Sequence, residues 1–184
     1  MKNAIRTYPL FSLCGLNCGL CPIHQMESGC PGCGGGAGNQ PCAVARCGAA
    51  HEVEYCFQCR EYPCSRYAGP PEFDSFLPTR NQLRDLAKAQ EMGLERYRAD
   101  LDEKVSILQE LLDGYNDGRR KTFFCTAVNL LDLPDIRAVM AHLADGGPAE
   151  GTVKERALLA VWLFQEAADR RGISLRLKRK PRKK

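Results

Sequence analysis

Polar and apolar positions divide the chain near residue 70. Residues 1–70 carry twelve Leu, Ile, Val, Met, Phe or Trp, and residues 71–175 carry thirty-two. The second stretch repeats its apolar positions with a helical period. Leu83, Leu86 and Ala87 predict a short helix after Thr79 that stops at Gly93. Leu94, Tyr97, Leu101, Val105, Leu108 and Leu112 predict one long amphipathic face, ended by "DGYNDG" at 113–118. Another helix is expected over 120–131. Pro134 suits the first turn of the next, which ends near "DGG" at 145–147. Thr152 and Glu155 are spaced as a capping box for a final helix that stops at Gly172. Its centre, "ALLAVWLF" (157–164), is apolar all round and is expected to be the most buried element. Ile173, Leu175 and Leu177 alternate with polar residues, which suits a short strand or an extended arm.

The first stretch has too few apolar side chains for a core of its own and needs another source of folding energy. Its cysteines offer one. Ten of the eleven lie between Cys14 and Cys64, and Cys125 stands apart. The N-terminus does not read as a signal peptide, and the longest apolar run, Ala157 to Phe164, is too short to span a membrane. A cytoplasmic protein is expected. In that reducing compartment a dense cysteine block points to metal rather than disulfides.

The block reads Cys14, Cys18, Cys21; Cys30, Cys33; Cys42, Cys47; Cys56, Cys59, Cys64. All ten are candidate metal ligands. "CPGCGG" and "CFQC" are knuckles that each present two thiolates one tetrahedral edge apart. Zinc, two or three ions, is the first expectation; an iron–sulfur cluster is the alternative, since thiolates suit both. His24 and His51 would raise ten donors to twelve, enough for three four-ligand sites. One grouping joins Cys30 and Cys33 to Cys42 and Cys47, with Cys56, Cys59 and Cys64 drawing on the first triad. The C-x3-C-x2-C spacing of that triad also occurs in radical S-adenosylmethionine enzymes. Those need a parallel α/β barrel, and no alternating strand–helix pattern follows here.

The fold expected is therefore a metal-stapled, loop-rich cysteine module over 1–70, an all-α helical bundle over 71–175 and a basic tail over 176–184. "AGPPEF" at 68–73 marks the junction. Charge sharpens the tail. The chain is +4, but residues 170–184 hold nine Lys or Arg and no acid, leaving −5 on residues 1–169. Such an arm can meet nucleic acid or an acidic partner, or simply solvate the terminus. Arg119, Arg120 and Lys121 stand at a probable helix start, where an anion would relieve their unfavourable position. Cys125, among Phe123, Phe124 and Val128, reads as a core thiol; a thiol-based enzyme or sensor is the sharper alternative. No carboxylate pair, Ser–His–Asp order or phosphate loop is present, so no catalytic residue is assigned.

The motifs "CGLNCGLCP", "CPGCGG" and "CFQCREYPCSRY", with the C-x4-C pair Cys42 and Cys47 between them, resemble a family of small cysteine-rich proteins, mainly of anaerobic bacteria and archaea. That family is known only as a domain of unknown function. The resemblance covers residues 13–67 and implies a metal-binding, zinc-binding protein; it implies no substrate. Function is thus expected to be that of a structural metal protein serving as a scaffold for a protein or nucleic-acid partner, with an iron–sulfur redox or regulatory protein as the alternative.

Overall fold

A computed structural model describes residues 6–36, 42–69, 72–146 and 151–181. Among these the chain is mostly helical: α1 (Ala43–Ala50), α2 (Gln82–Met92), α3 (Leu94–Gly114), α4 (Lys121–Leu130), α5 (Leu133–Gly146) and α6 (Val153–Arg170). Short 3-10 turns at Cys18–Leu20, Cys56–Gln58 and Ser65–Tyr67 punctuate the cysteine-rich stretch. The described residues hold no strand beyond an isolated antiparallel bridge between Phe11 and Asn17. The parallel barrel of a radical enzyme is thus missing among them. None of their helices is long and apolar enough to cross a membrane.

Local chemistry sets the helix ends. Gly93 adopts φ +86, the left-handed value that costs glycine nothing, and so ends α2 and opens α3 without a break in sequence. The α6 capping box forms as its spacing requires: Thr152 Oγ1 accepts from the Glu155 amide, and the Glu155 carboxylate accepts from the Thr152 amide. Helix α6 closes where the Ile173 amide donates to the Ala168 carbonyl past Gly172, at φ +64. The end of the turn expected at 145–147 and the last three tail residues lie partly outside the described residues.

Burial departs from the pattern in one instructive way. Helix α4, not α6, is the most buried element: every residue from Phe124 to Leu130 is buried. Helix α6 buries only Ala157, Ala160, Phe164, Ala167 and Ala168, while Leu158 and Trp162 are 48% and 59% exposed. The reason is the number of neighbours. Helix α4 is packed by α3, by α6 and by the Cys18–Leu20 turn, whereas α6 meets α4 and α5 alone among the helices it packs closely. Apolar residues all round a helix are buried only where partners surround it.

The cysteine-rich stretch shares this core. Phe11, Leu20 and Tyr55 are fully buried and belong to one cluster with Leu86, Leu101, Leu108 and Phe124. The Phe11 ring lies 5.3 Å from the Tyr55 ring and 4.5 Å from that of Tyr97 on α3. Gly15 makes the close approach to α2 possible. It sits at φ +90, and a Cβ there would fall 2.4 Å from the Gln82 carbonyl oxygen and 2.8 Å from Leu86. Gly15→Ala is expected to cost about 2–4 kcal/mol, summing left-handed strain and overpacking. Gly93→Ala shares the strain but meets nothing within 4 Å, so it should cost only about 1 kcal/mol. Denaturant unfolding of the two variants checks the difference.

The tail is extended rather than a strand. Leu175 is buried. The Arg80 guanidinium donates to the Ser174 and Arg176 carbonyls, and Asp74 accepts from the Lys178 amide. The arm is tied back on the chain just ahead of α2.

Candidate metal centre

Main-chain hydrogen bonds stitch the cysteine motifs together. The Pro9 carbonyl accepts from the Cys33 amide at 2.9 Å, and the Leu13 carbonyl accepts from the Cys56 amide at 2.9 Å. The first motif is thereby clamped between the "CPGC" and "CFQC" knuckles. Two thiol neighbourhoods result.

In the first, Cys18 lies beside Cys33, Cys14 and Cys21, and the Cys33 amide donates to its sulfur. Cys21 lies beside Cys30. The second lines a small cavity of about 20 Å³ with Cys47, Cys56, Cys59 and Cys64, joined by His51, Glu61 and Tyr67. Cys14 feels both sides, through Cys33 on one hand and Cys56 on the other; exposed Cys42 acts on Cys14 and, with Cys47 and Cys64, on Arg66, and so lies between the two sets. Cys33 thus sits with the first triad, and Cys47 with the last three cysteines. The grouping of Cys30 and Cys33 with Cys42 and Cys47 is one that spacing alone leaves open, because spacing carries no information about which loops the chain folds together. Among the described residues no three His, Cys, Asp or Glu side chains stand grouped as ligands around a point.

Burial governs the thiols. It pushes Cys18 up to about 12 and Cys56 up to about 11, and the neighbouring sulfurs push the same way. It also raises Cys14 and Cys21. Thiols held this way keep their protons until a cation displaces them. The polar groups that reach the sulfurs are Ser12 and Gln82 at Cys14, Tyr67 at Cys56 and Arg66 at Cys47. Sequence reading did not select these, although Arg66 and Tyr67 lie inside the closing "CFQCREYPCSRY" motif. Hydrogen bonds of this kind offset thiolate charge around a metal.

The two histidines separate. His24 spends Nδ1 on the Cys30 carbonyl at 2.7 Å. His51 stands at the second cavity, with Nδ1 3.7 Å from the Cys47 sulfur and Nε2 3.7 Å from Glu61. Helix α1, which the alanine-rich "AVARCGAA" did not announce as an element, carries Cys47 and presents His51 at its end.

Two of the basic trio at α4, Arg120 and Lys121, are engaged by the protein itself, and Arg119 is exposed. Arg120 pairs with Asp117 at 3.4 Å, Asp117 accepts from the Arg119 amide, and Lys121 donates to the Gln25 carbonyl at 2.7 Å. Asp117 supplies the negative charge that the helix start wants, and Lys121 bolts α4 to the cysteine stretch. Cys125 is 1% exposed, and burial pushes its thiol up to about 12, with Cys21 adding to the shift and Lys121 opposing it. A reactive thiol needs the opposite setting, accessible and electropositive.

Fold and site together define a small cysteine-rich unit seated on a helical bundle. Residues 10–69, about a third of the chain, match the family described as "Protein of unknown function (DUF3795)", so the cysteine-rich stretch carries a domain of unknown function. No curated protein and no solved structure matches the chain.

Proposed function

We propose that this is a structural metal protein: zinc bound by the ten cysteines staples the stretch from Cys14 to Cys64, and the stapled unit with its helices is a scaffold for a partner. The carrying observation is the cavity lined by Cys47, Cys56, Cys59 and Cys64. Its roughly 20 Å³ is the space of a single water-sized particle, which needs about 10–15 Å³. Four thiols in the lining of one small cavity are the donor type and number of a closed four-sulfur zinc site. The neighbourhood of Cys14, Cys18, Cys21, Cys30 and Cys33 supplies donors for a second ion. The donor type fits zinc, which thiolates hold at about 2.3 Å.

Elemental analysis of protein purified without oxygen tests this. About two zinc ions per chain are expected. Stoichiometric iron with acid-labile sulfide would replace zinc by the iron–sulfur alternative, and protein lacking both metals would overturn the proposal.

The partner-facing candidate is the tail. Arg176, Lys178, Arg179 and Lys180 expose their side chains while the backbone beneath is anchored. Truncation at 174 would remove buried Leu175 as well, so charge substitution is the cleaner test. Lys178→Ala, Arg179→Ala and Lys180→Ala together should leave the melting temperature unchanged. If the arm contacts phosphates, they should weaken binding to a duplex DNA or RNA probe and lower its salt slope by about 2–3. An unchanged slope in filter-binding titrations removes nucleic acid as the partner of the arm.

A further inference from the structure

A second, larger cavity lies away from the thiols. It holds about 350 Å³ between α2, α3 and the α4–α5 turn, with Asn17 of the cysteine stretch in its wall. That is the size of a small-molecule site, for which about 300–1,000 Å³ is usual.

The inner wall carries two groups of opposite charge that do not close on each other. Asp85 is 6% exposed. Its Oδ2 accepts from Asn17 Nδ2 at 3.0 Å, and Asn17 Oδ1 accepts from the Tyr97 hydroxyl at 3.0 Å. Tyr97 thus fixes the Asn17 amide, and the amide fixes the carboxylate. No donor bonds Asp85 Oδ1 among the described residues. Lys104 enters from α3 and spends one of its three N–H donors on the Leu131 carbonyl at 2.7 Å. No carboxylate among the described residues stands within 4.0 Å of it. The other nearby cations, Arg84 and Lys88, pair with Asp132 and make no ion pair with Asp85. A buried carboxylate and a half-buried ammonium, each only partly satisfied and facing one cavity, are costly unless something joins them. Met92, Leu101, Leu133 and Pro134 give the cavity an apolar flank.

We propose that this cavity binds a free α-amino acid with an apolar side chain, its ammonium on Asp85, its carboxylate on Lys104 and its side chain on the Met92–Leu101–Leu133 flank. A cation alone would leave Lys104 unmatched, and an anion alone would leave Asp85 unmatched. Glu91 and Asp100 at the rim disfavour an acidic side chain.

The charge states support the match. Burial pushes Asp85 up to about 6, against the pull of Lys104, Arg84, Lys88 and Asn17. Burial draws Lys104 down to about 8, against Asp85 and Asp132. The groups facing this pair are Arg84, Lys88 and Glu91 from α2, Tyr97 and Asp100 from α3, and Asp132 from the turn. Between about pH 6 and 8 both partners are charged, so binding should peak there. It should weaken below as Asp85 protonates and above as Lys104 loses its proton.

The full-length protein is titrated calorimetrically, and followed by amide chemical shifts, with L-leucine, L-methionine and L-valine. Isopentylamine and 4-methylpentanoate, the two single-charge halves of leucine, serve as controls. At least one amino acid should bind and shift the amides of α2 and α3, with neither half reproducing it. Asp85→Asn and Lys104→Met should each weaken binding about tenfold or more. If none of the three binds, if isopentylamine binds as well as leucine, or if both folded variants bind as the parent does, the proposal fails. Should either variant not fold, the single-charge controls and the pH profile of the parent still decide.

Discussion

Replacing Cys56 and Cys59 together by serine should remove one metal equivalent and lower the melting temperature by more than about 10 °C. The two sulfurs come from one knuckle and line the four-thiol cavity with Cys47 and Cys64. A structural zinc site contributes about 10–16 kcal/mol of folding free energy, comparable to the whole stability of an ordinary domain, about 5–15 kcal/mol. Losing even a third of that, at about 2–4 °C per kcal/mol for a chain of this size, gives the stated shift. The damage should not stay local, because Tyr55 immediately precedes Cys56 and is fully buried in the common core. Cys125→Ala is the matched control. It removes a buried thiol that is not one of the ten and borders them only at Cys21, so metal content should hold while stability falls only slightly. Metal analysis and calorimetry on the variants read both effects. A double serine variant with parental metal content and melting temperature would show that this cavity holds no staple.

Phe11→Ala should cost about 3–5 kcal/mol, the range for emptying a large buried aromatic site. Phe11 has no exposed surface and stands between Tyr55 and Tyr97, so its ring joins the cysteine stretch to α3. The site cannot collapse easily. Tyr97 is held by its bond to Asn17, and Tyr55 by the hydrogen bond it receives from Arg98 and by the Arg6 guanidinium 4.5 Å over its ring. Cavity relaxation is what makes such substitutions cheap, and here it is blocked on two sides. Phe11→Leu, which keeps most of the volume, should recover more than half of the loss. Equilibrium unfolding in urea measures both. A small cost for Phe11→Ala would mean that the two parts of the chain are held chiefly by other links, such as the Asn17–Asp85 and Lys121–Gln25 hydrogen bonds.

Some of the fold was legible because its causes are local. Gly93, Pro134, Gly172 and the Thr152–Glu155 box mark helix ends in sequence, and each lies at or within two residues of an observed one. The α3 stripe was legible in period but drifted in detail. Tyr97, Leu101 and Leu108 are buried as expected and Leu94, Val105 and Leu112 pack half-buried against the core, but Leu111 is buried too and Lys104 lines the cavity. Positions i+3 and i+4 both lie on one helix face, so periodicity alone cannot choose between them. The charged residue in such a stripe was the available signal: Lys104 falls on the apolar face of α3, and Asp85 stands four residues before buried Ala89 on α2.

The sequence by itself determined that the first 70 residues have too few apolar side chains for a core of their own, that the remainder is helical, and where most helices begin and stop. Composition and short-range capping suffice for those, since both act within a few residues. Only the tertiary structure decided which thiols are neighbours, that α4 rather than α6 is central, that Arg120 and Lys121 are spent on Asp117 and Gln25, and that Asp85 and Lys104 line one cavity. Each depends on how loops and helices far apart in sequence are brought together. That outcome is set by packing of the shared core, and no spacing of residues along the chain encodes it.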